Sequence, residues 1–409
     1  MKLLIKNAGQ LITVSSGGKP KRGREMAEIG IIRDGAVVVE NGTIVDVGKT
    51  KDFDGGTYDE ILDAKGRVVM PGFVDAHTHL VFAGTREQEI ALKIQGMSYM
   101  EILKKGLGIL STVRKTREAS LEELVRIGKA RALEMLHHGT TTIEAKSGYG
   151  LEKGAEIKIL EAAKRIQAET GIDIVPTFLG AHAVPPEFEN AKERYVEEVI
   201  AMLPAVKSLA KFCDVFCERG VFEIEETRKI LESARNHGFE LKLHADEFTQ
   251  LGGAELAASL RAVSADHLLM ASEKGLKAML VAGTIPVLLP ATPFTSFLND
   301  YPDARKMISL GLPVALATDL NPNAHCLSMQ MVLSLAVYKM RMLPAEAITA
   351  ATINAAFALG LGDKVGSIER GKQADIIILD VENYEQIPYF VGRNSVVHVV
   401  KRGRIVRGT

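Results

Sequence analysis

Two histidines, His77 and His79, lie two residues apart where an apolar stretch of the chain ends. The stretch, Val68–Leu80, reads VVMPGFVDAHTHL. Side chains two residues apart in an extended strand point to the same face, so one strand end can present both imidazoles to a metal ion. A solvated polar strand end is the alternative, but a buried strand seldom ends in such residues without a use for them. We therefore interpret the pair as metal ligands.

A third histidine and an aspartate follow later stretches that also read as buried strands. His244 ends the fifth of these strands, and Asp319 follows the eighth. With His77 and His79 they supply three imidazoles and one carboxylate, which suits a hydrolytic metal site that keeps one position open for water. A metal ion lowers the pKa of that water to about 7 and so provides hydroxide at neutral pH. The donor types suit zinc, iron(II) or manganese, so the sequence leaves the metal open.

Two more side chains at strand ends could take part in the reaction. Glu247 lies three residues after His244, and His267 follows the sixth strand in the sequence SADHL. Glu247 could move a proton, and His267 could polarise a carbonyl group. A histidine satisfied by core neighbours is the alternative for His267, but its place at a strand end favours the catalytic interpretation. Other polar residues at strand ends are Lys146, Tyr149, His182, Glu218, Asp246, Asp266 and Asn321.

The elements that must hold these residues alternate between buried strands and amphipathic helices from Val68 onward. Eight strands in alternation with helices predict a closed (β/α)8 barrel, in which reactive groups collect at the carboxyl ends of the strands. We expect strands one, five and eight to be neighbours once the barrel closes. The predicted strands are Val68–Val74, Thr140–Lys146, Ile174–Ala181, Phe212–Cys217, Glu240–Ala245, Val263–Asp266, Ile285–Leu289 and Val314–Thr318.

Both ends of the chain instead have the pattern of short β-strands. KLLIKNAGQLITV and AVVVENGTIVDVG precede the barrel, with a hairpin signal at Asn41-Gly42, and ADIIILD and VVHVVKRGRIVRG follow it. Neither end is long enough to form a core alone. We predict an α/β protein in which residues 67–361 form the catalytic barrel, while residues 1–66 and 362–409 pack together as one β module.

Composition narrows the class of protein and its partners. The chain has 409 residues and a formal net charge of −1, which argues against binding to nucleic acid or to a membrane surface. It has no apolar run long enough to span a bilayer and no N-terminal secretion signal, so we expect a cytoplasmic protein. Cys213 and Cys217 are expected to be small buried hydrophobic residues. Five other histidines carry no predicted chemistry: His137, His138 and His237, which end helices, and His325 and His398.

The strings PGFVDAHTHL, LHADE, ADHL, ATDLNP and GSIERGKQADIIILD resemble the amidohydrolase superfamily. Longer strings, among them TTIEAKSGYGL, TFLGAHAVP and DVFCERGVF, are similar in particular to its members that open the ring of 4-imidazolone-5-propanoate. In histidine degradation those members form N-formimidoyl-L-glutamate, by attack of metal-bound hydroxide on the ring carbonyl. The resemblance covers essentially the whole chain. It implies a TIM-like barrel flanked by a small β-sandwich, a homodimer, and one divalent metal per chain, zinc or iron with manganese possible.

The same resemblance implies roles for individual residues. It implies the metal ligands His77, His79, His244 and Asp319, the catalytic residues Glu247, His267 and Asp319, and the substrate contacts Arg86, Tyr149, His182, Glu247 and Asn321. A propanoate tail needs a cation, and Arg86 offers a bidentate fork. A surface ion pair with Glu87 or Glu89 is the alternative for this arginine. For Glu218 we favour a structural role over binding of a second ion.

Two rival functions remain to be weighed. A deaminase or hydrolase of another ring, such as guanine or a cytosine analogue, could use the same metal site. Arg86 and Tyr149 disfavour it, because a neutral base needs no carboxylate clamp. A structural protein that has lost its site is the other rival, and the retention of all four ligands together with Glu247 and His267 argues against it.

Overall fold

The computed structural model of the protein describes residues 1–97, 101–102 and 105–407. The last two residues of the predicted C-terminal segment lie outside this range. Its described α-helices are α1 (Glu89–Ile94), α2 (Ile109–Glu118), α3 (Leu121–His137), α4 (Lys153–Thr170), α5 (Lys192–Val206), α6 (Ile224–Asn236), α7 (Gly253–Ser259), α8 (Glu273–Ala282), α9 (Ala291–Thr295), α10 (Ala304–Ser309), α11 (Met329–Met340), α12 (Pro344–Ala350), α13 (Ile353–Ala358) and α14 (Gln386–Tyr389). Short 3-10 helices span Gly23–Ala27, Thr50–Phe53 and Pro186–Phe188. Within the described ranges, we find no helix that is both long and apolar enough to cross a membrane.

The first strands belong to a β module that both ends of the chain share. They are β1 (Lys2–Ala8), β2 (Gln10–Ile12), β3 (Ile31–Ile32), β4 (Gly35–Glu40), β5 (Thr43–Lys49), β6 (Glu60–Asp63) and β7 (Val68–Pro71). The barrel strands are β8 (Phe73–Asp75), β9 (Thr140–Lys146), β10 (Asp173–Ala181), β11 (Phe212–Cys217), β12 (Glu240–Ala245), β13 (Ser264–His267), β14 (Ile285–Leu288) and β15 (Ala315–Leu316). The C-terminal strands are β16 (Ile376–Leu379), β17 (Val396–Lys401) and β18 (Arg404–Arg407).

The eight central strands confirm the predicted barrel. Each of β8 to β14 pairs in parallel with the next strand in the chain, and at least one helix lies between the two strands of each pair. The two ends of this sheet meet just beyond the strands, where Thr78 bridges Leu320 and the His79 amide donates to the Leu320 carbonyl at 2.8 Å. All residues of these strands but a few are buried, because helices cover the outside and side chains fill the inside.

The first predicted barrel strand, Val68–Val74, is in fact two strands that belong to different sheets. β7 pairs with β2 and β16 in the module, and β8 starts the barrel. Gly72 lies at the crossing, where a Cβ atom would come within 2.4 Å of the Thr141 side chain. Both strands are fully buried, so the apolar sequence pattern does not reveal that the chain passes from one sheet to another.

Two sheets make up the module, and each buries one face against the other. The strand orders are β5-β4-β1-β6 and β18-β17-β16-β7-β2-β3, so strands from both ends of the chain share the second sheet. The predicted hairpin joins β4 to β5, with Asn41 at φ 50° and Gly42 at φ 84° as a tight turn requires. The apolar core between the sheets includes Leu3, Ile5, Val37, Val39, Ile376, Ile378 and Val400.

A buried ion cluster joins the module to the barrel. The Lys401 ammonium lies 2.7 Å from Asp173 at the start of β10 and 2.7 Å from Asp375 beside β16. The Lys401 and Asp375 side chains are 4% and 2% exposed, and that of Asp173 is 12% exposed. The side-chain amide of Gln373 also donates to both carboxylates. The negative charges of Asp173 and Asp375 are therefore balanced by side chains at the junction between the module and the barrel.

Removal of the Lys401 ammonium should destabilise the protein. Lys401→Met leaves the buried Asp375 carboxylate without its cation and leaves Asp173 with only the half-exposed Arg402, which costs about 3–5 kcal/mol of unfolding free energy. Urea denaturation measures the change. Arg393→Met is the matched control, because its ion pair with Asp380 is 45% and 44% exposed and should cost less than about 1 kcal/mol. If the two substitutions lower the unfolding free energy equally, the ion cluster does not stabilise the junction.

Candidate metal centre

Five imidazoles converge at the carboxyl ends of the barrel strands. His77 and His79 follow β8, His182 follows β10, His244 lies in β12 and His267 ends β13. The His77 ring centroid lies 5.6 Å from that of His79, 4.6 Å from that of His244 and 5.4 Å from that of His267. His182 stacks on His79 at 4.7 Å. The structure thus brings together every histidine that the sequence placed at a strand end.

The position of His244 corrects one expectation about the barrel. Strands one and eight are neighbours, as predicted, but strand five is not adjacent to either of them. β12 pairs with β11 and β13. The His244 side chain points into the barrel and meets His77 there. This is possible because inward side chains of opposite strands fill the interior of a closed eight-stranded barrel.

Asp319 completes the cluster from the loop after β15. Its Oδ1 atom lies 3.5 Å from His77 Nε2 and 3.8 Å from His79 Nε2, and Thr292 donates a hydroxyl hydrogen bond to Oδ2. Asp319 has φ 50°, and His267 has φ 74°. Such φ values are rare for residues other than glycine and cluster at functional sites. Burial raises the pKa of Asp319 above its ordinary value.

These residues fit a metal ion. Ligand atoms of His77, His79 and Asp319 lie within 4.8 Å of one another, as do those of His77, His244 and His267. The Nε2 atoms of His77 and His244 are buried and form no hydrogen bond with the residues that the structure describes. Buried polar atoms without a partner need an explanation, and a cation bound between them provides one.

Each of two histidines has a carboxylate behind it. His77 Nδ1 lies 2.6 Å from Asp266, and His244 Nδ1 lies 3.0 Å from Asp214. Such partners orient a metal-binding imidazole and leave its other nitrogen for the ion. Burial by itself would raise the pKa of Asp214, but His244 and Lys146 hold it well below its usual range.

Sequence reasoning missed the role of these inward carboxylates and of the lysines beside them. Glu144 and Lys146 lie in β9, Asp214 in β11, and Lys242 two residues before His244 in β12. A charged residue inside a buried strand is unusual, and for Lys242 the spacing of two residues from His244 was an additional signal.

Glu247 faces His267, one of the five histidines of the cluster. His267 Nδ1 lies 3.6 Å from Glu247 Oε1. Burial, together with Asp319, raises the pKa of Glu247 well above its ordinary value, and burial lowers the pKa of His267 well below its own. Glu218 accepts hydrogen bonds from the amides of Phe248 and Thr249, so it holds the loop that carries Glu247.

Arg86 has an acidic partner already. Its Nε and Nη2 atoms lie 2.8 Å and 2.7 Å from the two carboxylate oxygens of Glu89, and Glu89 also accepts from the Gly108 amide. The sequence alternative for Arg86 was a surface pair, whereas the pair found here is buried, with side-chain exposures of 7% and 1%.

Tyr149 and His182 lie next to His79. Their ring centroids lie 5.2 Å apart, and the Tyr149 ring lies 5.4 Å from that of His79. His182 Nδ1 contacts the Gly148 carbonyl at 3.0 Å, and burial, with the nearby His244, lowers the pKa of His182 to about 3. Gly148 has φ 103°, and a Cβ atom there would lie 2.9 Å from His182 Nδ1.

Asn321 holds the loop that follows Asp319. Its Nδ2 atom donates to the Asp319 carbonyl at 2.9 Å, and its Oδ1 atom accepts from the amides of Asn323 and Ala324. The remaining histidines are spread over other parts of the fold. His237 is exposed just after helix α6, and the His325 ring centroid lies 6.3 Å from that of Phe82.

Comparison with known proteins places this geometry in context. The amidohydrolase family profile matches residues 68–406. The chain is 52% identical to an imidazolonepropionase of Alkaliphilus oremlandii (strain OhILAs), covering 98% of this chain and 97% of that protein. It is 49% identical to an imidazolonepropionase of Geobacillus kaustophilus (strain HTA426), covering 99% and 97%. A solved adenosine deaminase from Xanthomonas campestris with bound zinc has a TM-score of 0.74 at 20% identity, covering 99% and 93%, and shows the shared fold.

Proposed function

Because the chain belongs to the imidazolonepropionases of the amidohydrolase family, we propose that it hydrolyses 4-imidazolone-5-propanoate to N-formimidoyl-L-glutamate in histidine degradation. Water adds to the ring carbonyl carbon, the bond from that carbon to the ring nitrogen breaks, and the nitrogen takes up a proton. The observation that carries the proposal is the convergence of His77, His79, His244 and Asp319 beside Glu247. Family membership confirms the resemblance seen in the sequence.

The first part of the proposal is that His77, His79, His244 and Asp319 hold one divalent ion, zinc or iron with manganese possible. When bound, such an ion acts as a Lewis acid that activates water and polarises a carbonyl group. The described residues contribute to this in two ways. The carboxylates behind His77 and His244 fix the orientation of the rings, and burial keeps competing solvent away from them.

Glu247 and His267 would carry out the proton transfers. A carboxyl group whose pKa is raised by burial accepts a proton readily and also releases it, as an acid–base catalyst must. Glu247 would take the proton from the attacking water and deliver it to the departing ring nitrogen. His267 lies 3.6 Å away and, as a neutral imidazole, can still donate an N–H hydrogen bond to the oxygen that gains negative charge.

In this proposal Arg86 binds the propanoate tail, while Tyr149 and His182, which lie against His79, contact the rest of the substrate. Arg86 contacts Glu89 through Nε and Nη2, so a substrate carboxylate would meet Nη1. Tyr149 and His182 offer flat surfaces against which the imidazolone ring can pack. Asn321, which shapes the neighbouring loop, would supply a further polar contact.

Arg86→Ala should weaken substrate binding more than it slows the chemical step. Loss of a charge-assisted contact is worth about 2–4 kcal/mol, or roughly thirtyfold to a thousandfold in kcat/KM, and KM should carry most of it. Steady-state kinetics measures the split. Arg165→Ala is the control, because Arg165 pairs with Glu122 on the exposed surface of helices α3 and α4 and should leave the kinetics unchanged. Wild-type kcat/KM in Arg86→Ala would mean that the carboxylate is bound elsewhere.

The buried Arg86–Glu89 pair is also the observation that favours a second candidate function. If Glu89 compensates the guanidinium fully, the pocket would suit a neutral ring such as guanine or cytosine. Turnover of freshly prepared 4-imidazolone-5-propanoate, beside guanine and cytosine, separates the two. We expect turnover of the propanoate substrate alone, and turnover of a neutral base alone would refute the first function. From the resemblance we further propose that the protein is cytoplasmic and forms a homodimer. Light scattering on the purified protein measures its molar mass and so tests the homodimer.

A further inference from the structure

Behind the histidine cluster, three carboxylates from three different barrel strands surround one lysine. The Lys146 Nζ atom lies 2.6 Å from Asp214, 3.0 Å from Glu144 and 3.4 Å from Asp266. All four side chains are fully buried. Burial by itself would lower the pKa of Lys146, but the three carboxylates outweigh it and raise the pKa above its ordinary value. The lysine is therefore a charged ammonium group within an oxygen-lined hollow.

The surroundings of this ammonium group have the character of a metal site. Ligand atoms of His77, Glu144 and Asp266 lie within 4.8 Å of one another. Oε2 of Glu144 is buried and accepts no hydrogen bond from the described residues, and it lies 3.0 Å from the Lys146 ammonium group. Carboxylate oxygens with one imidazole are donors that a divalent ion accepts.

We propose that Lys146 is a built-in cation that occupies the place of a second divalent ion and so limits the centre to one metal. The inference rests on the proposed metal site. His77 connects the two positions, since its Nε2 atom faces Asp319 while its Nδ1 atom faces Asp266. A second ion would need the oxygens that the ammonium group now holds.

The neighbouring Lys242 does not have the same position. Its Nζ atom donates to the Ala76 carbonyl at 3.0 Å and lies 3.2 Å from Glu144 and 4.0 Å from Asp266. Lys242 thus adds positive charge to the cluster from one side, tied to the backbone. It serves as a control, because its removal lowers the charge equally without opening the hollow between the three carboxylates.

The test compares Lys146→Ala, Lys146→Met and Lys242→Ala with the wild-type protein. Each protein is saturated with Mn²⁺, freed of loose metal by gel filtration and analysed for manganese per chain. Lys146→Ala removes the charge and opens space, so its content should rise from about one to about two ions per chain. Lys146→Met removes the charge but fills the space, and Lys242→Ala leaves the hollow occupied, so both should stay at about one ion. Paramagnetic resonance should show spin coupling of a manganese pair in Lys146→Ala only.

Several results would overturn the inference. One is a folded Lys146→Ala protein that binds the same single ion as the wild type, and another is a wild-type protein that binds two. A third is a Lys146→Ala protein that stays unfolded even with Mn²⁺ while Lys242→Ala folds, because the inference requires the ion to replace the ammonium group. Turnover of the wild-type protein on 4-imidazolone-5-propanoate tests the proposed function separately, since it involves no variant of Lys146.

Discussion

Glu247→Gln is expected to retain the fold and the full metal content while its kcat falls by about a hundredfold to ten-thousandfold, the usual contribution of a positioned acid–base group. The substitution is nearly isosteric and removes only the ability to exchange a proton. Glu247 lies 3.6 Å from His267 but belongs to none of the close ligand-atom groups around His77 and His79, so its replacement should leave metal binding intact.

Metal analysis and steady-state kinetics on the same preparation distinguish the outcomes. Glu255→Gln is the matched control, because Glu255 accepts from Ser272 outside the cluster and should keep normal kcat. If Glu247→Gln loses its metal, Glu247 is a ligand. If its kcat is close to that of the wild type, the proton-transfer role passes to Asp319 or His267.

His244→Ala should abolish activity by removing a metal ligand. Its imidazole reaches His77 from the opposite side of the barrel, with the two ring centroids 4.6 Å apart. Loss of a residue that only hydrogen-bonds to a metal ligand lowers metal affinity roughly tenfold to hundredfold, and loss of the ligand His244 itself should lower it further. His237→Ala, at the exposed end of helix α6, should have no effect.

Elemental analysis of the purified proteins is the measurement for His244. We expect about one ion per chain in the wild-type protein and little or none in His244→Ala. A variant that keeps both its ion and its activity would remove His244 from the ligand set. Two ions per chain in active wild-type protein would contradict a mononuclear centre.

The sequence by itself determined the barrel and most of the cluster, because both depend on local patterns. Apolar stretches alternate with amphipathic helices, and the strand bounds at Thr140–Lys146, Phe212–Cys217 and Glu240–Ala245 agree with the structure. Reactive side chains follow these strands at their carboxyl ends, and parallel strands bring those ends to one face of the barrel. His77, His79 and His244 meet there for that reason.

Only the tertiary structure decided what depends on contacts between distant segments. Val68–Val74 divides between two sheets at Gly72, which a uniformly apolar pattern cannot reveal. The buried partnership of Arg86 with Glu89 depends on how the segment after β8 folds back on itself. Closure of the barrel sets His244 opposite His77 and gathers Glu144, Asp214 and Asp266 around Lys146. A buried charge is stable only beside its counter-charges, and their positions come from strands that are far apart in the chain.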